Sequence, residues 1–350
     1  MRLFEDNTKL VEQFGAGRVA DLEDIPASPV FQEDLVYSHR GFDSFYERLR
    51  GGEQSAIVSG VNASGTLHYG HRIVFDIVKH FQTEHDTWFY VPISDDESYV
   101  SGKVETQEEA LENAYGIAAD MLAYGFDPDK TMFVIDYKRP EIYNFAFKLS
   151  TYVTMNEVQS TYGYSMSSNP GLFFYPSVQS AHVLLPEHHR GITNTLVPIG
   201  PDEDSHLRIA RDIAGRAGYT KPSVLHTRFL PGLDGKKMST SKGNALFLRD
   251  TDDALRAKVN DALSGGKKTL EEHREHGGDP DSDMACQYLK TFFYDEEEVE
   301  ELFGAYRDGS MLTGEVKDAL FEAANEFNTS FVERAGTVSS EDVESRLIDL

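Results

Sequence analysis

The sequence predicts an α/β protein, a doubly wound parallel sheet followed by a helical domain. Three observations predict it. The apolar run SAIVS at 55–59 passes through glycine-rich SGVNASG into an amphipathic segment and then into a second apolar run, WFYVPI. This strand, helix, strand order needs a crossover connection and therefore parallel pairing. Strand-type and helical runs alternate onward to residue 229, and after Asp250 only helical periodicity remains.

Each element has a local reason. Residues 1–55 read as a polar, helical leader, and SAIVS is a short buried strand bounded by Gly60. Ile73, Val74, Ile77, Val78 and Phe81 recur at helical spacing, which predicts an amphipathic helix from His68 to Gln82. Trp88 to Ile93 is the next strand, ending in SDDE at 94–97. Thr106 with Glu109 three places on is a capping box ahead of Ala110, Leu111, Ala114, Ile117, Ala118, Met121 and Leu122. The turn GFDPDK leads into a strand at 131–135, and 141–160 reads as helix. Leu196 to Ile199 is a short strand before GPDED, a helix runs through LRIARDIA, and Val224 to Phe229 is the last strand. Helices are expected at 251–263, 283–294, 296–307 and 313–334. The expected domains are the leader at 1–55, a Rossmann-like parallel-sheet domain at 56–250 with an insertion at 100–195, and a helical domain at 251–350.

Composition narrows the function classes. A single cysteine, Cys286, leaves no internal disulfide framework and no cysteine-based zinc site, which points to a reducing compartment and a cytoplasmic location. The N-terminal residues lack the apolar core of a signal peptide, and no window approaches the roughly 18 apolar residues of a membrane span, so no membrane partner is expected. Acidic residues number 59 against 33 basic, a net charge of -26 spread along the whole chain. Such a coat argues against indiscriminate nucleic-acid binding at low salt, while a local basic patch or high salt permits a specific complex. It also fits a halophile's protein, because at molar salt the Debye length falls to about 3 Å and self-repulsion is screened.

Two stretches carry chemistry. The first, SGTLHYGH at 64–71, lies beyond a parallel strand where a helix starts, a place that favours anions. Gly60, Gly65 and Gly70 permit close approach of a ligand to backbone, and Gly70 one turn into a helix costs about 1 kcal/mol against alanine, so it needs a reason. His68 and His71 are either phosphate donors, metal ligands or surface histidines; no third ligand of suitable spacing stands nearby. The second, GKKMSTSKGN at 235–244, is a glycine-flanked basic loop in an acidic chain. Lys237 offers charge and Ser239 and Ser241 offer hydroxyls suited to a polyphosphate, although a basic loop taken alone is more often solvated surface.

Taken together, HYGH followed by KMSTS resembles the HIGH and KMSKS pair of class I aminoacyl-tRNA synthetases, at the order and separation of the small tyrosyl and tryptophanyl members. Further stretches resemble the archaeal and eukaryotic tryptophanyl type: SHR at 38–40, SDDE at 94–97, VTMNEV at 153–158, YPSVQ at 175–179, RDIA after the 202–206 loop, SGG followed by EEHREHGGDPD, and MLTG at 311–314. The resemblance covers residues from about 35 to 335. It implies activation of an amino acid by ATP, brought with magnesium and without a dedicated protein metal site, then transfer to tRNA(Trp), in a homodimer joined through the insertion, with the helical domain reading the anticodon. It further implies that His68, His71, Lys237 and Ser239 act on the phosphates. Gly60, Gly70, Asp202, Met238, Ser241 and Lys242 would complete the ATP site, with Glu97 and Gln179 at the substrate's α-amino group.

The departures are specific. Thr240 stands where the second lysine of KMSKS would be, with Lys242 a possible substitute, and Glu203 replaces the glutamine usual after Asp202. The tyrosine and glutamine that read the indole N–H in this branch fall at Val58 and Pro92, neither of which offers a hydrogen-bond acceptor. Substrate readings therefore include tryptophan first, with a tyrosyl enzyme, a small-molecule adenylyltransferase and a non-activating paralogue as alternatives. HHR at 188–190 and HREH at 273–276 are expected in solvated loops, DDE at 95–97 is open between a strand-end turn and a site, and EEEVEE at 296–301 is expected as a solvated helix face.

Overall fold

A computed structural model describes residues 9–32, 35–238 and 243–350. Ser239, Thr240, Ser241 and Lys242 lie outside the described residues. The described residues divide into two compact units, one within 9–65, 73–227 and 335–350, the other within 66–72 and 228–334.

The first unit holds the sheet. Its strands are β1 (Gly17–Arg18), β2 (Val36–Arg40), β3 (Ser55–Val58), β4 (Val61–Asn62), β5 (Trp88–Ser94), β6 (Thr131–Ile135), β7 (Asn194–Ile199) and β8 (Ser223–Thr227). They lie in the order β1-β2-β8-β7-β3-β5-β4, with β6 also on β5. The pairs from β8 across to β6 are parallel, while β2 joins β8 antiparallel. The chain moves from β3 to β5 and β6 in one direction, then returns to lay β7 and β8 on the other side of β3. This reversal between β3 and β7 is the switch point where such sheets bind ligands at the carboxyl ends of their strands. Buried Ile57, Phe89, Val91, Phe133 and Leu196 explain the near-continuous apolar runs of the central strands, which are covered on both faces.

The alternation read from sequence is present, and the differences from it have physical causes. The leader contributes β2 and the amphipathic helix Phe42–Arg50, whose Phe42, Phe45, Tyr46 and Leu49 are buried. Helix Gln107–Tyr124 starts at Thr106, which accepts the Glu109 N–H, but the Glu109 carboxylate returns to the Glu105 N–H at 2.9 Å instead of closing a reciprocal box. Helix Pro170–Arg190 passes through Pro176 and Pro186, residues that argue against a helix interior. Burial of most of its residues from 176 to 186 overrides that local penalty. His188, His189 and Arg190 thus form a helical last turn rather than a loop, with His188 and Arg190 exposed as expected. The His188 ring stacks on Phe145 at 3.9 Å and the Arg190 guanidinium lies 4.1 Å from the Trp88 ring centre. The C-terminal residues also belong here, with the Ile348 N–H donating to the Phe133 carbonyl and the Phe133 N–H to the Arg346 carbonyl, both at 2.9 Å.

The second unit carries helices Asp252–Asn260, Leu270–His276, Met284–Phe292, Glu296–Arg307 and Thr313–Ala335 around Tyr288, Tyr306, Leu320 and Phe331. The segment 273–276 is helical, not a loop, because Thr269 caps it by accepting the Glu272 N–H. His273 is buried and its Nε2 bonds the Met311 carbonyl at 3.0 Å. Gly277 has φ +64°, and a Cβ there would strike the Arg307 carbonyl, so the GG of EHGGDP is a packing requirement. Glu296–Glu298, Glu300 and Glu301 are exposed on their helix, as expected. Among the described residues no helix is long and apolar enough to cross a membrane.

Candidate functional site

In the second unit the histidine turn is built by backbone pairing. The Tyr69 N–H donates to the Leu246 carbonyl at 2.9 Å and the Leu248 N–H to that of Leu67 at 3.0 Å, so His68 faces Phe247 in an antiparallel bridge. The His71 Nδ1 accepts the His68 N–H at 3.0 Å and the His68 Nδ1 accepts the Gly70 N–H at 3.1 Å. The rings stack with centroids 4.0 Å apart. Burial pushes His68 down to about 4 and His71 to about 3, so both rings are neutral at pH 7. A neutral ring whose Nδ1 accepts carries its proton on Nε2. Both imidazoles are thus uncharged with the proton on Nε2, a form that can donate to phosphate oxygens. A Cβ on Gly70 would come within 2.9 Å of the His68 ring and 3.3 Å of the Met238 sulfur, which accounts for the glycine and places Met238 beside it.

The lysine loop follows in the same unit. The Gly232 N–H meets the Lys236 carbonyl at 2.7 Å, the Leu233 N–H meets the Asn244 carbonyl at 2.8 Å, and Lys237 bridges Pro231. Asn244 Nδ2 closes the loop, donating to Asp234 at 2.8 Å and to the Lys237 carbonyl at 3.2 Å. The Lys237 ammonium lies 4.7 Å from the Phe229 ring centre, a cation–π contact.

In the sheet unit, Gly60 follows β3 and Asp202 lies in the 3-10 turn Pro201–Glu203 after β7, so both stand at the switch point. A Cβ on Gly60 would approach the Pro92 carbonyl to 3.2 Å. Val58 and Pro92 are buried, on β3 and β5. Asp204, just beyond, takes a bidentate Arg40 at 2.7 and 2.9 Å and His226 at 2.9 Å. Burial opposes the Asp204 charge, but these partners prevail and hold the carboxyl well below the usual range. This pairing explains SHR at 38–40 as the support of the turn after β7.

Glu97 and Gln179 each enter a set of polar contacts. Glu97 accepts Asn62 Nδ2 and is held by Lys103 Nζ at 3.1 and 3.0 Å. Gln179 Oε1 accepts the Tyr162 hydroxyl at 2.7 Å, and the Tyr162 ring stacks on His206 at 4.0 Å. His206 in turn bonds Glu203 at 2.7 Å. Burial raises the Glu203 carboxyl, but His206, Gln179 and the field of Lys103 outweigh it and bring it below its ordinary range. Sequence reasoning missed Lys103, Tyr162 and His206; Lys103 lies only six residues from Glu97, while the fold brings Tyr162 to Gln179 and stacks it on His206.

DDE at 95–97 opens helix Asp95–Val100 and is more than a turn. Oxygens of Asp95, Asp96 and Asp136 lie within 4.8 Å of one another. Asp95 accepts the backbone N–H groups of Asp136 at 2.9 Å and Tyr137 at 3.2 Å, and His182 Nε2 meets Asp136 at 2.7 Å. Burial and the neighbouring Asp136 push Asp96 up to about 8, and burial keeps His182 near 4. The cluster is tolerated by holding a proton on its carboxyls beside a neutral histidine.

A doubly wound parallel sheet is an architecture that binds ligands at its switch point, and the other unit carries a histidine turn and a basic loop of residue types suited to phosphate. The family model described as class I tRNA synthetases (W and Y) matches residues 50–329, and the chain belongs to that family. It is 40% identical over 330 residues to tryptophan–tRNA ligase 2 of Halobacterium salinarum, spanning 92% of this chain and 85% of that one. Tryptophan–tRNA ligase of Methanopyrus kandleri is 35% identical over 99% of this chain and 94% of its own. Among solved structures, tryptophanyl-tRNA synthetase of Aeropyrum pernix superposes with TM-score 0.90 at 28% identity, covering 98% and 96% of the two chains. That of Encephalitozoon cuniculi bound to tryptophan gives 0.87 at 27% identity, covering 99% of each.

Proposed function

We propose that the chain activates tryptophan with ATP, releasing pyrophosphate, and transfers the tryptophanyl group to tRNA(Trp). The observation that carries it is the histidine turn in antiparallel register with the segment just after the lysine loop, in a family whose similar members are named tryptophan–tRNA ligases. The tryptophan carboxylate attacks the α-phosphate and the bond to the leaving pyrophosphate breaks. Because that carboxylate is the nucleophile, the protein needs no general base and contributes positioning and charge stabilisation. His68 and His71 donate Nε2–H groups to the phosphates, and Lys237 with Ser239 holds the departing pyrophosphate. In this reading the nucleoside contacts are assigned to Gly60, Gly70 and Met238, the ribose to Asp202, and further phosphate contacts to Ser241 and Lys242. ATP enters as its magnesium complex. Glu97 and Gln179 take the α-ammonium.

The enzyme works in the cytoplasm as a homodimer joined through the insertion at 100–195, and the helices of residues 251–334 read the anticodon, while 335–350 pack in the sheet unit. The test is amino-acid-dependent ATP–pyrophosphate exchange across a panel including tyrosine and phenylalanine. Exchange restricted to tryptophan supports the proposal; exchange with tyrosine alone, or with no amino acid, overturns it.

A further inference from the structure

We infer that Asn328 is a positioning residue that registers the histidine turn against the segment following the lysine loop. Asn328 is 2% exposed on helix Thr313–Ala335. Its Oδ1 accepts the Tyr69 hydroxyl at 3.0 Å, and its Nδ2 donates to the Phe247 carbonyl at 2.9 Å. One amide therefore grips both strands of the bridge between His68 and Phe247, one residue from the first histidine and two from the second. Its surroundings are apolar: the Tyr69 ring packs against Phe292 at 5.5 Å and Phe327 at 6.1 Å. An apolar side chain would fill that space without the cost of burying an amide, so what the amide adds is direction. A second grip comes from Arg72, next to His71, whose guanidinium lies 4.0 Å from the Phe327 ring centre and 4.6 Å from that of Phe292. Both attachments fix donors whose use demands positioning within about 0.5 Å.

The inference rests on the phosphate-handling role of His68 and His71. Tyr69→Phe removes one hydroxyl, and the pair Tyr69→Phe with Asn328→Leu replaces both polar partners by apolar ones. The measurements are the kcat and KM of exchange, the unfolding temperature, and calorimetric affinity for ATP in the absence of amino acid. A positioning role predicts that Tyr69→Phe lowers the exchange kcat about tenfold or more with the tryptophan KM unchanged. It also predicts that the double variant regains unfolding temperature but not rate. A Tyr69→Phe rate within about twofold of the parent, or joint recovery of rate and stability in the double variant, overturns the inference. A parent that exchanges with no amino acid overturns the proposed function instead. ATP affinity then decides the inference, weakened binding in Tyr69→Phe supporting it and equal binding overturning it.

Discussion

The His71 Nδ1 accepts the His68 backbone N–H at 3.0 Å, and this one bond decides what the second histidine can offer a ligand. With Nδ1 accepting and the ring neutral, the ring proton is on Nε2. An amide can imitate such a donor and a methyl cannot. His71→Ala should lower ATP–pyrophosphate exchange by about a hundredfold, the cost of one oxyanion-type donor, and His71→Gln by clearly less. Both rings titrate near 4 or below, so neither histidine should impose an inflection on the exchange rate between pH 6 and 8. Steady-state rates across that range check this.

Lys237 holds its ammonium 4.7 Å from the Phe229 ring centre. Lys237→Ala should reduce exchange by about a hundredfold, mainly in kcat, because the charge matters most as pyrophosphate departs. Lys237→Arg should retain part of the rate. Exchange kinetics at varied ATP separate kcat from KM.

Lys103 sits 3.0 Å from the Glu97 carboxylate, the group proposed to take the substrate's α-ammonium. The two ammonium groups then compete for one acceptor. Lys103→Met should lower the tryptophan KM by a few-fold, about 1 kcal/mol for a half-exposed pair, and leave the ATP KM unchanged. A raised tryptophan KM would instead make Lys103 a support of Glu97.

Asp96, pushed up to about 8 from an ordinary 3.8, keeps in the folded state a proton that the unfolded chain releases. Its contribution to stability is complete below 3.8 and is lost as pH rises toward 8. His68, His71 and His182 act oppositely below 6.5, where the unfolded chain takes up protons first. Above 6.5 the Asp96 slope is unopposed by these histidines, so the urea midpoint should fall between pH 6.5 and 8 in the parent and stay flatter in Asp96→Asn. Urea titrations at several pH values check it.

A net charge of -26 destabilises the compact state through self-repulsion that salt screens. The unfolding temperature should rise from 0.1 M to about 3 M KCl, where the Debye length is below about 3 Å. Calorimetry in graded KCl tests this, and equal stability in dilute buffer would remove the halophilic reading of the charge.

The alternating strands and helices were legible in the sequence because burial periodicity is local. SAIVS is strand β3, and the apolar spacing from Ile73 to Phe81 lies in helix Tyr69–His85. The two motifs were legible because they are contiguous. Helix Pro170–Arg190 was not, since its prolines oppose a helix locally and only burial in the sheet unit overrides them. Nor could local pattern place Phe133 against Ile348, Arg40 on Asp204, or Asn328 on Tyr69, contacts between residues far apart in the chain. By itself the sequence determined the order of elements, the acidic coat and the residue types available for phosphate chemistry. Tertiary structure alone decided which nitrogen of each histidine carries the proton and which side chains surround each carboxylate. Tautomers and titration depend on burial and on hydrogen bonds that exist only once distant segments have packed.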